Sequence, residues 1–408
     1  MPSNLPDGAP APADGALPAA ALAEFGTRSF GVYLHVPFCT TRCGYCDFNT
    51  YTAAELGSAP GASRNSWADA AIAELRLARR VLGTADVPVS TIFVGGGTPS
   101  LLPSADLGRV VAAVRDEFGF TSDIEITTEA NPESAGPAWF DGLLDAGFTR
   151  VSLGMQSARQ HVLAVLDRVH TPGRPAEAAA EARKAGFGHV NLDLIYGAPG
   201  ESLVDWRASV DAAIDAGPDH VSAYALIVED GTRLAARIRR GELPAPDDDD
   251  LADKYELADD ALSAAGLRWY EVSNWATSDK AECRHNELYW TGGHWWGVGP
   301  GAHSHVGGTR WWNVKHPAAW AARLASGDSP AHAREVLDAE TRRVERVLLE
   351  TRLAAGLDMG VLDAPGADAA GAMVAEGLIE SEPATAGRIV LTRSGRLLAD
   401  GVVRRLLA

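Results

Sequence analysis

From Gly31 onward, short stretches rich in β-branched and aromatic residues alternate with longer Ala-rich stretches of helical period. The runs at 32–36 (VYLHV), 91–95 (TIFVG), 124–129 (IEITTE), 151–155 (VSLGM), 190–196 (VNLDLIY) and 220–226 (HVSAYAL) predict strands. Between them, 67–82, 104–117, 138–146, 175–185 and 203–215 predict helices, with Ser66 and Asp69 spaced as a capping box at the first. Such alternation implies βα units on a parallel sheet, an α/β fold. Six units are too few for a closed eight-fold barrel, so an open partial barrel and a doubly wound sheet both remain open. In either, the chemistry belongs at the C-terminal ends of the strands.

The pattern changes past about residue 230. Pro244, Pro246 and the acidic run Asp247 to Asp250 read as a linker into a helix near 251–265; four adjacent acids suit a solvated helix start better than a metal site. Residues 269–312 hold seven of the eleven Trp, and 285–316 hold five of the eleven His. The last 70 or so residues predict a helix (338–354), a shorter helical pair and the segment RIVLTRSGRLLADGVVRRLL, an order that resembles a winged helix. From 331 onward, 10 Arg stand against 12 acids, which favours packing or protein contact over DNA. The chain thus divides into a tail (1–28), a core (29–230), a Trp/His-rich segment (231–330) and a winged-helix-like end (331–408).

Charge and composition narrow the classes. Residues 1–27 carry no Lys or Arg, and five prolines among Ala and Gly make this stretch read as a disordered tail rather than a targeting signal. No run of about 18 apolar residues predicts a membrane span. A net charge of −18 argues against a general binder of nucleic acid or anionic membrane. Of four Cys, three fall within eight residues. That is no disulfide framework, and it points to a metal or cluster site in a reducing, cytoplasmic setting.

Those three, Cys39, Cys43 and Cys46 in CTTRCGYC, directly follow the first predicted strand. Zinc would need a fourth ligand, Asp47 or a distant His. Buried structural thiols fit poorly beside the polar, loop-like Thr40, Thr41, Arg42 and Gly44. A 4Fe-4S cluster held by three thiolates suits the spacing best. It leaves one iron free to chelate an amino acid through amine and carboxylate. S-adenosylmethionine offers both, and one electron from the cluster cleaves its sulfonium to a 5′-deoxyadenosyl radical. Gly95, Gly96, Gly97, Thr98 and Pro99 (GGGTP) end the second strand and permit a close backbone approach to such a ligand, although a plain tight turn also needs glycine. Glu129, Gln156 and Asp193 end later strands, polar where the mouth of a barrel would lie.

The CxxxCxxC spacing with an aromatic before the last Cys resembles the radical SAM superfamily. The chain is similar to its oxygen-independent coproporphyrinogen oxidase group, and most of all to that group's heme-chaperone members. The likeness runs from Tyr33 to near the C-terminus, through YLHVPFCTTRCGYCDF, FVGGGTPS, TTEANPES, RVSLGMQS, LDRVH, NLDLIYGAPGES, YEVSNWA and CRHNELYW. It implies a six-unit partial (β/α)6 barrel with a C-terminal α+β region. It further implies that Cys39, Cys43 and Cys46 hold the cluster, and that Tyr33, Tyr45, Gly96, Gly97, Thr98, Glu129, Gln156, Arg168 and Asp193 contact S-adenosylmethionine, with Ala225 at the border. The true oxidases resemble this stretch but have a further Cys two positions after the third ligand, where Asp47 and Phe48 stand here. The chaperones carry HNxxYW, present as His285, Asn286, Glu287, Leu288, Tyr289 and Trp290. The resemblance therefore implies a heme chaperone that passes heme to an acceptor hemoprotein, as a homodimer, with coproporphyrinogen III oxidation as the rival activity and no catalytic residue assigned.

An imidazole is a common axial ligand of heme iron, and aromatics cover a porphyrin face. His285 is the ligand implied, with Tyr289, Trp290, Trp295 and Trp296 nearby. His and Trp also build ordinary small cores. Cys283, His294, His303 and His305 stand as substitutes.

Overall fold

The computed structural model describes residues 7–57, 61–168 and 171–408. All six predicted strands form: β1 Phe30–Val36, β2 Val89–Gly96, β3 Phe120–Ala130, β4 Arg150–Gln156, β5 His189–Tyr196 and β6 His220–Ala225. Each lies parallel to the one before, in sequence order. An order without reversal has no switch point, which excludes a doubly wound sheet. The barrel stays open because β1 and β6 do not pair with each other; both have other neighbours. Helices α1 Arg64–Leu82, α2 Ser104–Phe118, α3 Pro137–Asp145, α4 Arg174–Ala185 and α5 Leu203–Asp215 fill the crossovers.

The core follows the apolar pattern. Val32, Leu34 and Val36 of β1, Ile92 and Val94 of β2, and Leu192 and Leu194 of β5 are all fully buried. Each such side chain contributes about 1.5–3 kcal/mol relative to exposure. The start of α1 differs from the expected capping box. Ser63 is the N-cap and Ser66 lies within the first turn, its hydroxyl donating to the Ser63 carbonyl at 3.0 Å. Asp69 is drawn away to pair with Arg109 on α2.

Beyond β6 the sheet continues through β8 Asn274–Ala276 to β7 Arg268–Glu271, fed by α6 Asp248–Ala264. The acidic run is the start of α6: Asp247 caps the helix and accepts from the Asp250 amide. On the other side β9 His294–Val298 runs parallel to β1, followed by the antiparallel β10 His303–Val306, β11 Thr309–Asn313 and β12 Ala331–Val336. Buried Glu74 on α1 stitches this extension to the barrel, accepting from the Gly299 amide, Asn313 Nδ2 and Trp320 Nε1.

Two expected boundaries move. The stretch expected to be a disordered tail is structured from Ala9, its first six residues lying outside the described ones. Ala9–Pro10 pairs with β12 as an edge strand, where a proline is tolerated, and Phe25 is buried edge-on against Phe30. At the other end, β12 belongs to the main sheet, so the C-terminal unit begins after it with α8 Ala339–Glu350. That unit has its own core around Val347, Met373, Ile389 and Leu406, with two-residue strands Leu357–Asp358 and Arg388–Ile389. No helix among the described residues is long and apolar enough to cross a membrane.

Candidate functional site

The loop after β1 carries the three cysteines and is tied down on both sides. The Cys39 amide donates to the Tyr51 carbonyl at 3.0 Å and the Gly44 amide to the Leu166 carbonyl at 3.1 Å. A Cβ on Gly44 would sit 2.3 Å from the Asp167 carboxylate, so a larger residue would push that side chain aside. All three thiols line a cavity of about 810 Å³ at the C-terminal ends of the strands. Burial pushes the Cys39 thiol up and Cys46 up to about 11. Each therefore stays protonated until a cation or cluster stabilises the thiolate. Donors for that are in place: Arg168 Nη1 points at Cys43 Sγ at 3.5 Å, and Thr98 Oγ1 at Cys39 Sγ at 3.8 Å.

Tyr45, Gly96, Gly97, Thr98, Glu129, Gln156, Arg168, Asp193 and Ala225 line the same cavity. A Cβ on Gly96 would meet the His35 ring at 2.4 Å, and one on Gly97 the Phe38 carbonyl at 2.6 Å. These glycines let β2 lie against the cysteine loop, with the Gly97 and Thr98 amides bonded to Val36 and Phe38. Glu129 accepts from the Gly96 amide at 3.0 Å, and burial, aided by Asp193, pushes its carboxyl up to about 7. Burial also raises Asp193, against hydrogen bonds from Ser152 and Asn191. Gln156 reaches the mouth from a left-handed backbone, φ 64°, strain of the kind that collects at functional sites. Tyr33 is the exception: its hydroxyl donates to His35 Nδ1 at 3.0 Å, and it is not among the cavity-lining residues. In the LDRVH motif, Val169 and His170 lie outside the described residues.

This donor set fits a cluster and its aminoacyl ligand. Three thiols, a guanidinium and a hydroxyl face one space, beside glycine backbone and two half-buried carboxyl groups. Among the described residues, no three His, Cys, Asp or Glu are grouped to hold a single metal ion, as zinc would need.

The HNELYW segment is built differently. It forms α7 Arg284–Trp290, whose start is held from β3: the Glu125 carboxylate accepts from the Arg284 and His285 amides at 3.2 and 3.1 Å. Buried Arg150 on β4 faces Glu125 at 3.6 Å and donates to the Ala281 and Glu282 carbonyls. His285 is fully buried, stacked on Phe93, with Nδ1 bonded to Thr91 Oγ1 and Nε2 to Tyr289 OH, both at 2.8 Å. Burial pushes its pKa to about 3, so the ring is neutral. Both ring nitrogens are hydrogen-bonded here, so the ring would have to give up one of these partners to ligate an iron. Cys283 is equally closed, its thiol pushed up by burial and directed at Glu125. His294 bonds the Glu24 carbonyl and the Gly307 amide, and His303 lies exposed on Trp312.

A chain of hydrogen bonds that the sequence did not reveal joins the two regions. Asp193 accepts from Asn191 at 2.7 Å, Asn191 Oδ1 meets His220 Nδ1 at 2.6 Å, and His220 Nε2 meets Tyr270 OH at 2.8 Å. Tyr270 OH in turn accepts from the Cys283 amide at 3.2 Å, at the N-cap of α7. The one available signal was the polar period of two in VNLDLIY, which places Asn191 and Asp193 on the same face.

An open six-strand parallel barrel with three cysteines after its first strand defines a radical SAM protein, and the family model of the Radical SAM superfamily matches residues 33–213. Family membership implies a 4Fe-4S cluster and S-adenosylmethionine. The chain is 58% identical over 387 residues to the "Heme chaperone HemW" of Mycobacterium tuberculosis (strain ATCC 25618 / H37Rv), covering 95% of this chain and 97% of that one. The chain belongs to the HemW family of radical SAM proteins. It is also 38% identical over 280 residues to the mouse "Radical S-adenosyl methionine domain-containing protein 1, mitochondrial", covering 69% of this chain and 61% of that one. Among solved structures, coproporphyrinogen III oxidase (HemN) from Escherichia coli has a TM-score of 0.79 at 22% identity, over 95% of this chain and 92% of that one. That likeness shows a shared fold.

Proposed function

We propose that this protein is a heme chaperone: it binds heme and passes it to an acceptor hemoprotein, on a scaffold that holds a 4Fe-4S cluster and S-adenosylmethionine. The observation that carries this reading is the 58% identity, over almost the full length of both chains, to a relative named for that function. Phe48 adds to it. Where the oxidases carry a further Cys, this chain has a ring that is 57% exposed at the cavity rim.

In this reading Cys39, Cys43 and Cys46 hold the cluster, and Arg168 offsets thiolate charge at Cys43. The backbone at Gly96 and Gly97 would hold the methionyl part of S-adenosylmethionine, with Glu129 available to its amino group. Tyr45, Thr98, Gln156, Asp193 and Ala225 complete the wall, while Tyr33 acts from behind it through His35. When bound, the cluster supplies an electron and S-adenosylmethionine a reducible sulfonium. A homodimer and a cytoplasmic location belong to the same reading.

The test is an anaerobic hemin titration of the reconstituted protein, followed by addition of apomyoglobin as acceptor. One hemin per chain, with a saturable Soret band and transfer faster than from free hemin, is the expected result. Absence of saturable binding, together with protoporphyrinogen accumulating from coproporphyrinogen III, overturns it in favour of the oxidase.

A further inference from the structure

The inner face of the barrel carries a polar row set by strand register. Ser152 on β4 stands opposite Asn191 on β5, and Asn191 opposite His220 on β6. Asp193 lies two residues nearer the mouth on β5, and residues two apart on a strand share a face. Asn191 and His220 are buried, whereas Asp193 keeps some exposure and lines the cavity. The row therefore leads from the cavity wall into the barrel.

It is polarised in one direction. Both Asp193 oxygens accept, one from Ser152 at 2.8 Å and one from Asn191 Nδ2 at 2.7 Å, which turns Asn191 Oδ1 towards His220. That oxygen accepts from His220 Nδ1 at 2.6 Å. Burial, with Arg150 and His189 nearby, lowers the His220 pKa and keeps the ring neutral. Its Nε2 thus has the lone pair and accepts from the Tyr270 hydroxyl at 2.8 Å, which itself accepts from the Cys283 amide at 3.2 Å. Every donor points towards Asp193, and aligned hydrogen bonds in a low-dielectric interior strengthen one another.

The far end of the row is the N-cap of α7, Cys283. Glu271, next to Tyr270 on β7, adds a second tie through the Asn286 side chain. Glu125 and Arg150 also hold this end of α7, but neither lines the cavity. Water competes with Asn191 for Asp193 until a ligand covers the carboxyl.

We propose that His220 and Tyr270 are positioning residues that couple the cofactor wall to α7. A ligand over Asp193 excludes water from it, tightens the row and holds the first turn of the HNELYW helix more firmly. This rests on the placement of S-adenosylmethionine at the barrel mouth in the reading above. Occupancy alone then carries the signal to the motif, and no bond of the cofactor need break.

Hydrogen exchange of the cluster-reconstituted full chain, with and without S-adenosylmethionine, reads the coupling at residues 283–290. In wild type the cofactor slows exchange there by about fivefold or more. Tyr270→Phe and His220→Leu each break the row and remove most of that difference, while calorimetry shows that both still take up S-adenosylmethionine. His285→Phe separates coupling from mere support: it loosens α7 in both states, and the ratio between them persists. A cofactor effect in Tyr270→Phe as large as in wild type overturns the proposal. So does the absence of any effect in wild type that calorimetry shows to be saturated. Failure of wild type to bind S-adenosylmethionine overturns the placement of the cofactor, and the coupling with it.

Discussion

At the barrel mouth, Glu129 and Asp193 are half-buried carboxyls that face a cavity, and among the described residues Glu129 accepts from the Gly96 amide. At α7, His285 and Glu125 are more deeply buried, and neighbours on β2, β3 and the helix itself take up their hydrogen-bonding groups. Both regions are built from titratable groups held away from bulk water, but the mouth carboxyls keep some exposure. What separates a binding wall from a structural joint is whether the polar groups face open space or each other.

The contrast breaks first at the cysteines. Cys39→Ala, Cys43→Ala or Cys46→Ala abolishes the brown absorbance near ~400 nm and the bound iron on reconstitution. Cys283→Ala leaves iron content unchanged, as suits a thiol packed against Glu125. A cluster formed at full iron content without any one of the three would erase the distinction.

Next is the glycine wall. Gly97→Ala drives a Cβ to 2.6 Å from one carbonyl and 2.8 Å from another. Relief of such overpacking costs about 1–3 kcal/mol, so affinity for S-adenosylmethionine falls at least about tenfold by calorimetry. His285→Phe tests the joint. It strands the Thr91 and Tyr289 hydroxyls and costs about 1–3 kcal/mol of stability in thermal or urea unfolding.

The smallest effect is in pH. Glu129 is raised from 4.5 to about 7, so the native state holds a proton that the unfolded chain has already released. Stability therefore falls as pH rises from about 4.5 to about 7, then levels off. Glu74, Glu201 and Glu271, also pushed to about 7 by burial, add to the same slope. Glu282 is raised to about 7 as well, and Glu129→Gln removes one share of the slope, read as a shallower fall in melting temperature across that window.

The six strands and the loop cysteines were legible because strand period, glycine and thiol spacing are local signals. The start of α1 was misplaced because Asp69 found a partner on α2, which no window of sequence contains. The antiparallel extension was unreadable for a related reason. Its strands are three to six residues long, and Ala9–Pro10 pairs across more than three hundred residues of chain. His285 and His305 look equivalent as letters. Only the carbonyl of Gly293 on one side, and Thr91 with Tyr289 on the other, tells them apart.

Strand β1 meets both regions. A Cβ on Gly31, near its start, would touch Thr91, Leu288 and His285, while Val36 at its end leads into the cysteine loop. Five residue steps of about 3.3 Å separate the two, roughly 17 Å of stiff, fully paired backbone. The strand is in effect a spacer of fixed length. It keeps the cysteine loop and helix α7 at a set remove, so that news of one reaches the other only through the protein's own fabric.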